Sequence, residues 1–342
     1  MRRGFVCLIV RCSAVAIGCA AYGQSNTTPE DPARRWAGLV ETAQQQRQAG
    51  DYQAAFQTLQ QASDLSRQTP GATQMRARSY EYLGSVAALL GRPTEAETMM
   101  KSSIRLWEES GEAGLVARLQ AEADLLSLYV ATGRPGPAAR LARTLAASCD
   151  ARLDQDAAAA DKVYGALAAA AYLNQDLPRA EALSRKAIQF HKFNPSDMPE
   201  ERSQVHNQLG LILWQQGRKD EARQEAQVAV DILEANRRVN VVEYASALSN
   251  LAKMKGADRN DPNALEMMHR AIEIVRSNIG PSHVFLVGLW SDYADLLKRA
   301  KRGEESKAAR REAQNIYQRT LVQQPGRYSV DVADFTRDAG KR

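Results

Sequence analysis

The stretch Leu209-Gly210-Leu211-Ile212-Leu213-Trp214-Gln215-Gln216-Gly217-Arg218-Lys219-Asp220-Glu221-Ala222 decides the fold, because each of its landmarks recurs along the chain at one interval. The small residue that ends it has counterparts at Ala55, Ala96, Ala138, Ala180, Ala264 and Ser306, so the steps along the series are 41 and then 42 five times. Twelve residues earlier the series reads Ala43, Gly84, Leu126, Ala168, Gly210, Ala252 and Ala294, mostly behind a leucine, as at Leu83, Leu125, Leu167 and Leu251. Five residues earlier it reads Gly50, Gly91, Gly133, Gln175, Gly217, Arg259 and Lys301, and seven later Ala62, Ser103, Leu145, Ala187, Ala229, Ala271 and Ala313. Self-similarity at a period of this size marks a stacked repeat architecture.

Each unit reads as two helices joined by a tight turn. Tyr80, Leu83, Gly84 and Ala87 stand at i, i+3, i+4 and i+7 of the first helix, here called A, and form its buried stripe. The small residues fall where A crosses the second helix, B, and the backbones approach closely, while the turn glycine supplies a positive φ. A single unit leaves its stripe half exposed, so units must stack. Composition agrees: aromatics are 6% of the chain, and alanine, leucine, glutamine and glutamate recur where β-branched runs would mark strands. The expectation is an all-α, right-handed superhelix of fourteen helices in seven antiparallel pairs, with repeats starting near 36, 77, 119, 161, 203, 245 and 287.

These phrases, above all Gly50-Asp51-Tyr52-Gln53-Ala54-Ala55, Leu83-Gly84, Leu209-Gly210 and Gly217 to Ala222, resemble the tetratricopeptide signature W-x2-L-G-x2-Y, G-x-Y-x2-A. The 42-residue period, longer than the usual 34, is similar to the kinesin light chain type, as are Leu248-Ser249-Asn250-Leu251-Ala252, Arg270-Ala271-Ile272-Glu273-Ile274 and Asn278-Ile279-Gly280-Pro281-Ser282-His283. The resemblance covers about Trp36 to Arg319 and implies a tetratricopeptide-repeat (TPR) α-solenoid that binds a protein or peptide in its concave groove. The sequence departs from the pattern where Leu126 and Leu145 fill small positions in the third repeat. It departs again where Arg259 and Lys301 replace the turn glycine in the sixth and seventh, and looser crossings are expected at all of these.

The first 23 residues have Arg2 and Arg3, an apolar segment interrupted by Arg11, and small residues at Ala21 and Gly23, the layout of a secretory signal peptide. The expected organisation is therefore a leader over 1–23, a linker over 24–35, seven repeats over 36–319 and a tail over 320–342, in an exported, periplasmic protein. Membrane contact would come only through lipidation of Cys19 or an uncleaved leader. Loss of the leader removes Arg2, Arg3 and Arg11 and no acidic residue, so the net charge falls from +5 to +2, which argues against nucleic acid as the partner. It also removes Cys7, Cys12 and Cys19, leaving Cys149 alone as a small core residue. Asn26-Thr27-Thr28 reads as linker, and Tyr328 to Val332 alternates like a strand that could fold back on the end of the array.

None of the Walker A, G-x-G-x-x-G, G-x-S-x-G or H-E-x-x-H motifs occurs. His191, His206, His269 and His283 lack acidic or cysteine partners at metal-ligand spacing, and His206 falls at a buried A-helix position. Asp292 and Asp295 read as one polar helix face. No catalytic residue, metal or cofactor is expected, and the chain reads as a non-enzymatic scaffold.

The A helix of the fifth repeat carries a second stripe, Gln204, Asn207, Leu211 and Trp214, apart from His206, Leu209, Gly210 and Leu213. Tyr172 occupies the place of Trp214 one repeat earlier. Gly165, Ala169 and Gly256 are expected to leave space beside the rings, and Lys162 and Lys253 to place positive charge at the edges. The candidate peptide-binding set is thus Lys162, Tyr172, Asn207, Gln208, Leu211, Trp214, Asn250 and Lys253, with the amides of Asn207, Gln208 and Asn250 holding an extended peptide backbone and the lysines meeting acidic flanks. Two other readings compete: a cytosolic peptide-responsive regulator, which would need an uncleaved leader, and a single-strand RNA-binding helical-repeat protein, which would need a basic groove.

Overall fold

The computed structural model describes residues 31–149, 151–191, 199–236, 240–257 and 261–323. The leader, Cys19, the Asn26 sequon, Arg259 and the run from Tyr328 to Val332 lie outside the described residues.

Seven antiparallel pairs stack in chain order. They are α1 (Pro32–Gln48) with α2 (Tyr52–Gln68), α3 (Thr73–Leu89) with α4 (Pro93–Glu109), and α5 (Leu115–Ala131) with α6 (Pro135–Ser148). After a five-residue α7 (Ala151–Gln155) come α8 (Ala157–Leu173) with α9 (Leu177–His191) and α10 (Pro199–Gln215) with α11 (Lys219–Glu234). Finally α12 (Val241–Lys255) pairs with α13 (Pro262–Asn278) and α14 (Phe285–Arg299) with α15 (Gly303–Gln323). The first six A helices begin four residues ahead of the starts read from the spacing, because the sequence places a helix start there: Asp31 caps α1 through the N–H of Ala33 with Pro32 in the first turn, and Asp156 caps α8 through Ala159. No described helix is long and apolar enough to cross a membrane.

The turns are near copies of one another. At Gly50, Gly91, Gly133 and Gly217 the backbone has φ between 63° and 81°, and the residue after each donates its N–H back to the carbonyl five positions earlier at 2.9 to 3.0 Å, as Arg134 does to Tyr129. Gln175 and Lys301 take the same turn at φ of 62° and 61°, with Asp176 and Arg302 making the same bond, at a strain of about 1 kcal/mol each for a side chain in this region. The expected loosening at the seventh repeat is therefore absent: the turn demands the angle, and lysine can adopt it. Loosening does occur in the third repeat, where Leu126 and Leu145 are fully buried and hold α5 and α6 in the sparsest of the seven A–B seams.

At the other crossings small residues set the approach. A methyl added at Gly210 would stand 3.0 Å from the carbonyl oxygen of Ala222 and 3.3 Å from the nitrogen of Ala226, and one at Gly84 would stand 2.9 Å from Met100. The alanines at 55, 96, 138, 180 and 222 are fully buried, and Ser306, at the seventh copy of that position, satisfies its hydroxyl on the Ala294 carbonyl at 2.7 Å. Two apolar clusters run through the array, one mainly in α1 to α9 and one mainly in α10 to α15.

Charge adds a second periodic link. Glu97 of α4 receives Arg134 from the following A–B turn at 2.6 Å, and Glu181 of α9 receives Arg218 from its following turn at 2.7 Å. The two clasps lie 84 residues apart, two full periods. Partial burial opposes ionisation of each carboxylate, yet the bonds from Lys101, Arg134 and Tyr129 hold Glu97 down to about 2, and those from Gln216, Arg218 and Arg185 do the same for Glu181.

Curvature also brings distant repeats together. Gly50, in the first A–B turn, lies against Asn278 and Ile279 at the end of α13. Phe285 and Ile279 pack on the larger apolar cluster, which takes in Val205 and Val242 as well as the early repeats.

Candidate peptide-binding groove

Along the line where consecutive A helices meet, the inward positions are polar and still buried. Glu81 of α3, Asp124 of α5, Lys162 of α8, Gln204, Asn207 and Gln208 of α10, and Ser246, Ser249 and Asn250 of α12 are all less than one tenth exposed. Groups that prefer water remain buried only when paired. Lys162, with no exposure, donates to Asp124 at 2.7 Å and lies 3.5 Å from Glu81, so one ammonium ties the second, third and fourth repeats. Arg78 holds Glu81 at 3.1 Å. Burial pushes Asp124 up to about 8, with the Lys162 ammonium pulling against it and Glu81 and Glu201 adding to the rise.

Farther along, Asn250 Nδ2 donates to Asn207 Oδ1 at 3.1 Å across adjacent repeats. Gln208 Nε2 is buried and meets no acceptor among the described residues, an arrangement that leaves a donor for something else. Asn207 and Asn250 thus meet across the seam, and Gln208 is the next residue on α10.

The lysines do not do what the sequence suggests. Lys162 is sealed inside with two carboxylates and presents no charge at a groove edge, which corrects that expectation: the A-helix phase was right, but the tight stacking of α5 and α8 covers the position. Lys253 is partly open and spends its charge on Asp292 at 3.0 Å. Asp295 is held by Arg310 at 2.7 Å, so the polar face carrying the two aspartates is a structural one.

The two rings are not brought to one pocket. Tyr172 packs with Ala171, Ala180, Leu183 and Ile212, whereas Trp214 and Leu211 join the later cluster, and the Trp214 ring has Lys219 and Arg223 each 5.7 Å from its centre. Nor do small residues leave room beside them. Ala169 and Gly165 are buried, and a methyl on Gly256 would run into the Leu296 side chain, because the next repeat fills that space. His206 is half-buried and bonds Glu225 through Nδ1 at 2.7 Å, and half-buried Cys149 points its sulfur at the Leu145 carbonyl. Among the described residues no three potential metal ligands gather.

One opening was not anticipated. A crevice of about 560 Å³ lies between α13, α14 and α15, with Leu286, Trp290, Tyr293 and Ile316 on its walls. The density of aromatic residues from Phe285 to Tyr293 was its only trace in the sequence.

Residues 39–109 and 245–284 each match a family model described as tetratricopeptide repeat. No curated protein matches the chain. Among solved structures, a Rap protein complexed with Competence and Sporulation Factor is similar with a TM-score of 0.61 at 13% identity, over 85% of this chain and 77% of that one. The apo form of the quorum sensor NprR from B. thuringiensis is similar with a TM-score of 0.58 at 11% identity, over 84% and 77%. BtubC (BKLC) from P. vanneervenii gives 0.52 at 17% identity, over 71% and 97%. With the repeated turns, the close A–B crossings and the matched segments in agreement, the chain folds as a tetratricopeptide-repeat α-solenoid with a long, 42-residue period.

Proposed function

We propose that this protein is an exported, non-enzymatic scaffold that binds an extended peptide or protein segment along the inner faces of α10 and α12. The observation that carries the reading is the buried amide row, Asn207, Gln208 and Asn250, with the Gln208 donor left over among the described residues. An extended backbone offers alternating donors and acceptors, which such amides match without reading sequence. Half-buried Leu211 and Trp214, one and two turns beyond, supply apolar contact for a side chain. With Lys162 neutralised inside and Lys253 paired, acidic flanks are no longer favoured, and the ligand class is an extended segment of low charge.

Export rests on the three-part leader alone, and N-terminal sequencing of the protein from its native host would test it; an intact Met1 would refute cleavage. A peptide-responsive regulator is the second reading, supported by the likeness to the Rap and NprR structures, one of them determined with Competence and Sporulation Factor. Binding itself is tested by a photoreactive residue placed at Leu211, compared with one at Val228, the exposed apolar residue on α11. Crosslinks at 211 competed by free peptide, and none at 228, are expected. Equal labelling at both would defeat the groove.

A further inference from the structure

The groove between the last two B helices differs from its neighbour one period earlier in what crosses it. Between α11 and α13, beside α12, the Glu234 carboxylate accepts the Tyr244 hydroxyl at 2.8 Å and Arg270 at 2.9 Å, and the guanidinium lies over the Tyr244 ring at 5.3 Å. Forty-two residues on, the same three positions hold Arg276, Leu286 and Glu312. The leucine has no hydroxyl, Arg276 pairs with Glu273 on its own helix, and Glu312 makes no ion pair among the described residues. The tie is missing, and the crevice of about 560 Å³ opens there with all three residues on its walls.

The α14 wall of the crevice is preformed. The half-buried rings of Trp290 and Tyr293 meet edge to face with centres 5.9 Å apart, and His269 braces Tyr293 at 6.2 Å. On the α15 side Ala308 is exposed. A rigid aromatic wall gains apolar contact at little cost in ordering. Each earlier B helix is covered by the A helix of the following pair, whereas α15 has no such successor among the described residues.

We propose that this crevice is the docking site of the chain's own tail, with Tyr328 to Val332 extended along α15. The exit point and the length of chain support it. α15 ends at Gln323, one turn past Arg319 on the crevice wall, and Pro325-Gly326, a pair that reverses a chain, follows at once. Tyr328 to Val332 spans about 13 Å when extended, and α15 from Arg319 back to Ala309 spans about 15 Å, which leaves Gln324 to Arg327 for the turn. Alternation then sets Tyr328, Val330 and Val332 on the apolar wall and Ser329 and Asp331 in solvent. Tyr328 would restore a ring and a hydroxyl to the groove where Leu286 stands in place of Tyr244.

A photoreactive residue at Val332 of the full chain should crosslink within the same molecule to peptides from 286–297 and 305–319, a readout that leaves the crevice walls unaltered. A labelled peptide of residues 326–337 probes the same site in trans. Tethering holds the tail at an effective concentration of about a millimolar, so the peptide should bind wild type about tenfold or more weakly than a chain carrying Val330→Asp and Val332→Asp, whose own tail is disabled. Adding Ala308→Arg to that chain sets a long side chain of good helix propensity at an exposed position of the crevice and should abolish the binding. Crosslinks to a second copy, crosslinks to α10 or α12, or no intramolecular crosslink would each overturn the proposal. So would equal peptide affinity in the wild type and the tail variant, or binding untouched by Ala308→Arg.

Discussion

Replacing Glu97 and Glu181 by glutamine tests whether the periodic clasps hold neighbouring repeats together. Each carboxylate is about one sixth exposed and accepts bonds from three partners: Glu97 from Lys101 at 2.7 Å, Arg134 at 2.6 Å and Tyr129 at 2.9 Å, and Glu181 from Arg218 at 2.7 Å and from Arg185 and Gln216 at 2.9 Å. A charged hydrogen bond contributes about 1.5 to 3 kcal/mol where water is excluded. Here Arg134 and Arg218 are 43% and 37% exposed, so solvent screening brings the expected loss to about 1 kcal/mol per clasp. The sites share no partner, and the double variant should lose about 2 kcal/mol. Urea unfolding followed by circular dichroism would measure it, with Glu305→Gln as control, because Glu305 meets Arg302 inside a single turn and crosses no seam. Both carboxylates are depressed to about 2 in the folded protein, so their contribution is complete above the ordinary glutamate range and is lost as pH falls through about 2. The difference between wild type and the double variant should accordingly narrow from pH 7 to pH 3. A difference independent of pH, or one no larger than that of Glu305→Gln, would refute the reasoning.

Two further outcomes follow from the buried parts of the array. At about pH 9, above the value to which burial drives Asp124, Lys162→Met should cost about 3 to 5 kcal/mol, while Lys162→Met with Asp124→Leu should recover most of it; thermal melts of both variants beside wild type check the coupling. Since Asp124 is raised, the deficit should shrink on acidification, where its neutral form no longer needs the ammonium. Gly210→Ala should cost about 1 to 3 kcal/mol, because the methyl meets backbone atoms of α11 that cannot rotate away, and a melt within a degree of wild type would contradict the close crossing.

What the sequence carried well was everything that repeats. The turn glycines, the fully buried alanines and the small residues at the crossings are local demands of one helical hairpin, so each copy announces itself at the same offset. The clasps follow the same period, Glu97 and Glu181 standing 84 residues apart, as do Arg134 and Arg218. What depends on how hairpins are stacked was not legible. A helical phase places Lys162 on the inner side of α8, but whether that side faces solvent or Asp124 depends on the closeness of α5, which no residue of α8 encodes. The same limit separated Trp214 from Tyr172: equal phase one repeat apart does not make two rings neighbours when Lys219 and Arg223 occupy the space over one of them and Ile212 packs beside the other. The contact of Gly50 with Ile279 lies farther still from local signal, because the two stand more than two hundred residues apart and only the accumulated curvature of the array brings them within reach. For a solenoid the unit is written in the period, whereas the binding face is set by small rotations between units, and those must be measured.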